Sequence, residues 1–181
     1  FAGHPSLGTA HALLALKLVR AQKGEIIQEC GAGLIPIRIE TSKKFRRRLF
    51  FRAPVVKNIE AFESGFEPAA AVFSKLALGE LAPSLVEGGR KWWIAEMRDE
   101  KSLRSLQPDH AAITAMSKAS DSMGLCVFSR CKDQDYQLAV RAFAPAFGIK
   151  EDPASGAANA TIAAYLLDSG TLQSIGHNYR V

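Results

Sequence analysis

The sequence predicts an α+β fold of two half-domains, each built from strands around a central apolar helix. Three observations carry this. Two helix-patterned segments, residues 6–19 and 153–167, are Ala-rich and almost free of charge along their apolar stretches. Segments with strand patterning surround each of them. The same short polar layout also precedes both helices, which points to a repeated unit.

The elements follow in order. In residues 6–19, Ala10, Leu13, Leu14 and Leu18 recur at helical spacing, Pro5 suits a helix start and Gly24 provides a stop. Residues 26–30 and 34–40 read as strands joined by Gly31-Ala32-Gly33, and the second alternates well. Residues 48–54 are a third strand candidate, and 69–78 a helix stopped by Gly79 and Pro83. Residues 92–97 then read as a strand, 100–106 and 109–119 as short helices, and 125–130 and 136–143 as strands. The helix over 153–167 is closed by Gly170, and Tyr179-Arg180-Val181 looks like the start of a further strand. A helix that is apolar all round has to be buried on all sides, which is why each is placed at the centre of its half.

Composition excludes several classes. Of the 181 residues, 48% are hydrophobic and 23% charged, enough apolar material for a packed core rather than a disordered chain. The longest apolar stretches, 12–16 and 160–167, fall short of the ~20 residues of a membrane span. No signal-peptide layout is visible, so a cytoplasmic location is expected. The three cysteines Cys30, Cys126 and Cys131 are odd in number and lack CxxC spacing, which fits reduced, buried thiols rather than disulfides or zinc ligands. Net charge is +5, but the dense basic run Lys43, Lys44, Arg46, Arg47, Arg48 leads straight into Leu49-Phe50-Phe51. It reads as a solvated strand end, not a nucleic-acid patch. No nucleic-acid or membrane partner is expected, and the mild positive balance favours anionic small molecules.

The two helix starts carry the chemistry. His4 and Asp152 each stand directly before a Pro; Ser6 or Ser155 follows, then Gly8 or Gly156, then the apolar helix. A residue before Pro is pushed out of helical geometry, so His4 and Asp152 are expected on extended lead-ins. The free amides of a first helical turn hold anions, and a Gly there lets a ligand approach closely. Two such ends facing one cleft would clasp a carboxylate-bearing small molecule. Each segment taken alone also reads as an ordinary helix cap. The recurrence of the layout favours a shared site.

At these residues a resemblance appears. FAGHPSLGTAHALL resembles the Gly-His-Pro/Ala motif of the phenazine-biosynthesis-like (PhzF) family, and RAFAPAFGIKEDPASGAANATIAAYL is similar to its F-x-P-x-x-G-x-x-E-D-P-x-T-G-S-A signature. QECGAGLIPIRI, SLRSLQPDHAAI and GHNYRV resemble further family segments, so the likeness covers essentially the whole chain. It implies a diaminopimelate-epimerase-like fold: two pseudo-symmetric half-domains, each a sheet rolled round a central helix, here 1–80 (incomplete) and 81–181. It also implies an isomerase that uses no cofactor and moves a proton on a small carboxylate-bearing substrate by acid/base catalysis. Phenazine-pathway members of the family act so on a dihydro-hydroxyanthranilate. His4 matches the family's active-site His, Asp152 its motif Asp, and Gly3 a pocket-lining glycine. Ser6, Ser155, Gly156 and Ala157 are the expected substrate-binding positions. Family members often pair, so a homodimer is expected.

The departures matter. The family's principal acid/base, a Glu in an Asn-x-x-Glu motif upstream of the Gly-His-Pro helix, has no match here. The chain is therefore expected to be a fragment lacking its N-terminal segment and C-terminal end, and inactive by itself. Ala157 stands where Ser is usual and Ser155 where Thr is usual. These departures keep a second reading open, a non-catalytic binding or interaction protein of the same fold, and a third, a truncated product without a stable fold. Two-thiol racemases share the fold but place a thiol at each helix start, which this chain does not. Gly31-Ala32-Gly33 lacks the third glycine and following helix of a dinucleotide loop and reads as a hairpin turn. No Ser-His-Asp set stands on a GxSxG elbow: His11 reads as a core or interface residue, and His110 and His177 as surface or loop residues. Trp92-Trp93 reads as one core and one interface side chain, or else as an aromatic wall for a ring substrate.

An incomplete first half leaves sheet edges exposed, so the isolated chain is expected to dimerise or aggregate. Light scattering tests this: a monodisperse monomer with a cooperative melt would rule it out.

Overall fold

The computed structural model describes residues 3–181 apart from 32, 44–46, 54, 57 and 133. The chain divides into two compact units, Phe1–Val55 and Val56–Val181. The position expected to separate the halves, 80/81, lies inside the second unit, because residues on both sides of it pair in one sheet.

The first unit holds helix α1 (Gly3–Ala15) and three antiparallel strands, β1 (Glu25–Cys30), β2 (Gly33–Glu40) and β3 (Arg48–Phe51), in the order β1-β2-β3. Gly31-Ala32-Gly33 sits in the β1–β2 hairpin, where Cys30 pairs with Gly33; Ala32 lies outside the described residues. The β2 alternation is as expected, with Ile35 and Ile37 turned inward. Pro54, in the expected 48–54 strand, and Lys44 and Arg46, in the basic run, lie outside the described residues; the strand itself ends at Phe51.

Helix α1 starts and stops earlier than its pattern predicts. It stops because Lys17 takes a left-handed conformation (φ 59°), with Lys17 N–H donating to Leu14 C=O and Leu18 N–H to Leu13 C=O. This pair of bonds closes a helix C-terminus without a glycine. The alternation of Leu and Lys over 16–18 carries no trace of such a stop in the sequence. Burial is one-sided: Gly3, Ser6 and Ala10 form the buried stripe, and His11 and Ala12 are exposed. The expectation of a helix buried on all sides does not hold for α1.

In chain order the second unit contains β4 (Asn58–Ala61), α2 (Glu67–Phe73), β5 (Ser84–Gly88), β6 (Arg90–Glu96), α3 (Glu100–Ser105), α4 (His110–Ala119), β7 (Leu125–Arg130), β8 (Leu138–Ala144), β9 (Ile149–Asp152), α5 (Gly156–Asp168) and α6 (Leu172–Ile175). The strands form one sheet in the order β4-β5-β6-β7-β8-β9. All neighbours are antiparallel except β6 and β7, which are parallel. A parallel pair needs a long crossover, and α3 and α4 supply it. Asp99 and Asp109 cap these helices by accepting the N–H groups of Ser102 and Ala112 at 2.6 and 3.0 Å.

Both faces of this sheet are buried. Trp93, Ala95, Met97, Leu125, Val127 and Phe143 pack against side chains of α2, α3 and α4. Trp92, Ile94, Cys126, Phe128, Leu138 and Ala142 pack against α5. The Trp pair therefore divides between two cores, and both rings are buried. Trp93 sits among Phe62, Phe66 and Phe73, with ring centroids 6.4, 5.8 and 5.6 Å away. Helix α5 buries Ala158, Thr161, Ile162, Tyr165 and Leu166, while Leu167 is exposed. Tyr165 Oη donates to Ala82 C=O at 2.6 Å, tying the helix to the approach to β5.

The sequence reading gave no strand at β4, β5 or β9. Their segments are short, charged or bounded by Pro and Gly, so periodicity had little to act on. Residues 179–181 form no strand, although Gln137 and Leu138 donate their N–H groups to Arg180 C=O.

Among the described residues of this unit, one charged side chain is buried. Glu96, 2% exposed, accepts the N–H groups of Glu80 and Leu81, both at 3.0 Å, and Arg130 Nε at 2.6 Å. Arg130 also reaches Glu80 at 2.7 Å. A buried carboxylate is tolerated when its lone pairs are filled in this way.

The tightest backbone approach lies at Gly124, where a Cβ would meet the Phe143 carbonyl oxygen at 1.9 Å. Gly124→Ala must push β8 away from the entry to β7, at a cost of about 2 kcal/mol or more. Urea denaturation should show that loss; wild-type stability would mean the strands separate there without strain.

Candidate functional site

Within the second unit the site begins where β8 turns into β9. Pro145–Phe147 form a single 3-10 turn, and Gly148, at φ 78°, reverses the chain. Ala144 pairs with Ile149 and Ala142 with Asp152, so β9 fits three residue steps against two on β8. This is a β-bulge. Asp152 ends β9 on an extended lead-in, as its position before Pro153 predicts.

From there the chain is tied down bond by bond. Asp152 Oδ1 accepts the Ala154 N–H at 3.1 Å. Ser155, 7% exposed, is the N-cap of α5, its Oγ accepting the Ala158 N–H at 3.4 Å. Asn159 Nδ2 donates to Ser155 C=O at 2.9 Å. Gly156 and Ala157 open the helix, in the turn whose amides have no acceptor within the helix itself. Pro153 and Ala154 thus belong to the turn, and the helix starts at Gly156 rather than at 153.

Asp152, Ser155 and Asn159 line a cavity of about 520 Å³, together with Arg104, Tyr136 and Arg141. Asn159 Oδ1 is buried and meets no hydrogen-bond donor among the described residues. Glu100 accepts Tyr136 Oη at 2.8 Å and Arg104 Nε at 2.6 Å. The Tyr136 bond and then the Arg104 bond hold its carboxyl below the usual range, and the same contact with Glu100 raises the Tyr136 hydroxyl. Burial, and secondarily the Asp152 charge, push the Cys126 thiol up, which keeps it protonated and inert.

The first unit holds Gly3, His4 and Ser6. His4 is the second residue of α1 and is exposed, so it is not on an extended lead-in. The missing N–H of Pro5 falls in the first turn, where no helical bond is lost, so the helix extends back through His4 to Gly3. Gly3 and Ser6 are buried. Ser6 lines a mostly apolar cavity of about 500 Å³ with Thr9, Leu13, Ile26 and Gln28. Within each unit the expected site residues lie close together along the chain.

Sequence reasoning missed Arg141, Glu151, Asn159, Arg104 and Tyr136. Arg141 carried a usable signal, being the one charge in the apolar run Ala139–Phe143, and Glu151 stands beside Asp152 in the recognised signature. Asn159, Arg104 and Tyr136 had no such signal, because they meet the site only through the fold. His11 is exposed, so it is not the core residue that one of its two readings expected. His110 opens α4 half-buried, with its ring against the edge of Phe143 at 6.3 Å, and is not a surface loop residue. Among the described residues no group of three or more His, Cys, Asp or Glu is placed to hold a metal ion, and no helix is long and apolar enough to cross a membrane.

The family pattern described as phenazine biosynthesis-like protein matches residues 1–179. Antisense-enhancing sequence 1 of Schizosaccharomyces pombe is 27% identical over 169 residues, covering 92% of this chain and 56% of that protein. "Uncharacterized isomerase YddE" of Escherichia coli K12 is 31% identical over 136 residues, covering 68% of this chain and 46% of that protein. The chain thus spans about half the length of the curated relatives it matches. The crystal structure of a Bacillus anthracis phenazine biosynthesis protein of the PhzF family superposes with a TM-score of 0.74 at 20% identity, covering 92% of this chain and 56% of that one. A hydroxyproline epimerase of Agrobacterium vitis superposes with a TM-score of 0.56 at 17% identity, covering 94% of this chain and 53% of that one. These likenesses show the diaminopimelate-epimerase-like fold expected from the sequence.

Helix α3, whose end holds Arg141, depends on the Asp99 cap. The Ser102 N–H bond and then Arg98 hold the Asp99 carboxyl down at about 2. A depressed carboxyl contributes stability above its unfolded pKa and loses it as pH falls through the folded value. The stability gap between wild type and Asp99→Ala should therefore be full above roughly pH 4 and shrink toward pH 2. Denaturation across that range checks it; a gap independent of pH would mean the carboxylate is not what caps α3.

Proposed function

Because the chain belongs to the phenazine biosynthesis-like protein family, we propose that the protein is an isomerase that moves a proton on a small carboxylate-bearing molecule. The observation that carries this is the convergence of Asp152, Ser155 and Asn159 on one cavity at the start of α5. Isomerase names among the curated relatives point to the same reaction class.

The chemistry follows from the local physics. One Asp152 oxygen is anchored by the Ala154 amide, which orients the carboxylate and leaves its other oxygen for a substrate hydroxyl or proton. The first-turn amides of Gly156 and Ala157 sit at the positive end of α5 and suit an anionic group. Arg104 adds positive charge to the cavity wall. His4 supplies the second acid/base group, since imidazole is the side chain that ordinarily titrates near neutrality. Acid/base side chains suffice for this reaction class, and His4 and Asp152 are the candidates for that role. No nucleic-acid or membrane partner enters this reading, and a homodimer of the full-length protein accompanies it.

Ala157 favours a second reading. A methyl there removes a hydroxyl that the family signature offers to the ligand, which fits a protein that binds a carboxylate without turning it over.

The two readings separate in deuterium oxide. The full-length gene product is incubated with a panel of small ring and chain carboxylates, and carbon-bound deuterium is followed by NMR. Under the isomerase reading one compound exchanges at a single carbon. His4→Ala and Asp152→Ala then each slow exchange by about 100-fold or more at an unchanged melting temperature. Binding without exchange in wild type would move the assignment to the second reading. Loss of folding in both variants would mean that His4 and Asp152 serve only as helix-start residues.

A further inference from the structure

We propose that Arg141 and Glu151 form a register lock that selects the bulged β8–β9 pairing and so turns Asp152 to the α5 face of the sheet. Arg141 is thus a positioning residue for Asp152. This rests on the proposed function for what Asp152 does, but not for where it points.

The register makes the case. If the Ala144↔Ile149 pairing continued without interruption, Asp152 would stand opposite Arg141. The Arg141 side chain lies on the face of the helices α3 and α4, with its guanidinium 5.0 Å over the Phe143 ring. A shift of one residue moves a side chain to the other face of a sheet. The bulge supplies that shift, and Asp152 pairs instead with Ala142. Ala142 in turn pairs with Cys126, and both belong to the core packed on α5. The Asp152 charge contributes to raising the Cys126 thiol, as its placement on that face requires. Without the bulge, Asp152 would face away from Ser155 and Asn159.

A bulge needs something to hold it against the regular alternative. The two residues on β9 between its paired positions are Lys150 and Glu151. Lys150 is exposed. Glu151 takes a two-pronged bond from Arg141, Nε to Oε1 at 2.7 Å and Nη2 to Oε2 at 2.9 Å. The same guanidinium sends Nη1 to the carbonyls of Leu103 and Leu106 at 3.1 and 2.7 Å. One planar group thereby fixes the end of α3, β8 and the bulge together. A lysine has no such fork and cannot make both sets of bonds. The Arg141 bond holds the Glu151 carboxyl below its usual range, so the lock is charged at neutral pH. Glu151 has a different duty from its neighbour: it bonds Arg141 on the α3–α4 face and orients Asp152 through the backbone.

The Ala154 amide reports on the outcome, because it donates to Asp152. Its NMR shift in the full-length protein should follow the acid titration of Asp152. In Glu151→Gln and in Arg141→Lys the amplitude of that titration should fall to roughly half or less, as the regular register becomes populated. Glu151→Gln leaves the Arg141 bonds to α3 in place, so a folded variant is available even if Arg141→Lys does not fold. Ile94→Val, a core truncation on β6, three strands from β9, serves as the control for lost stability and should leave the Ala154 titration unchanged. A wild-type titration in Glu151→Gln would overturn the lock, and so would an equal loss in Ile94→Val. If the lock holds while no carboxylate exchanges deuterium in wild type, the isomerase reading fails and the register assignment stands.

Discussion

The second unit depends on a sheet that hides both of its faces from water. Strands β6 and β7 run side by side in parallel at its centre, and nearly every side chain they carry lies in one of two cores. Such strands leave no solvated face to record which side is which. The helices do that work, α2 to α4 on one side and α5 on the other. The positions of Asp152, Ser155 and Asn159 follow, since they occur where the chain leaves the sheet edge to lay α5 across its face. A carboxylate at a strand end, a hydroxyl at a cap and an amide one turn into a helix meet at the short turn that connects those two elements.

The elements most legible in the sequence were those with a strong period or a strong cap. Strand β7 was expected at its observed bounds, and α4 starts one residue after its capping Asp109. For the candidate site, the local order was legible in the Glu-Asp-Pro-x-Ser-Gly segment, which places Asp152 at the end of β9, Ser155 at the cap and Gly156 at the start of α5. What could not be read was direction. Whether Asp152 faces α5 or the opposite helices depends on one extra residue in β9, and a bulge in a four-residue charged strand leaves no periodic trace. The stop of α1 at a left-handed Lys17 was hidden for a similar reason, because nothing in a lysine side chain announces that backbone conformation. Strand β5 was lost between Pro83 and the Gly88-Gly89 pair, where turn residues outvoted Leu85 and Val86. In each case the backbone decided what the side-chain pattern left open.

The buried pair of Glu96 and Arg130 bears on the order in which this unit assembles. The two residues are 34 positions apart, with the whole α3–α4 crossover between them. Until β7 docks beside β6, Glu96 has no counter-charge, and a bare carboxylate stays in water rather than enter an apolar core. Strand β6 therefore cannot settle fully against its antiparallel neighbour β5 and be finished. The charge of Glu96 can thus enter the core only together with the long-range parallel pairing that brings Arg130 beside it.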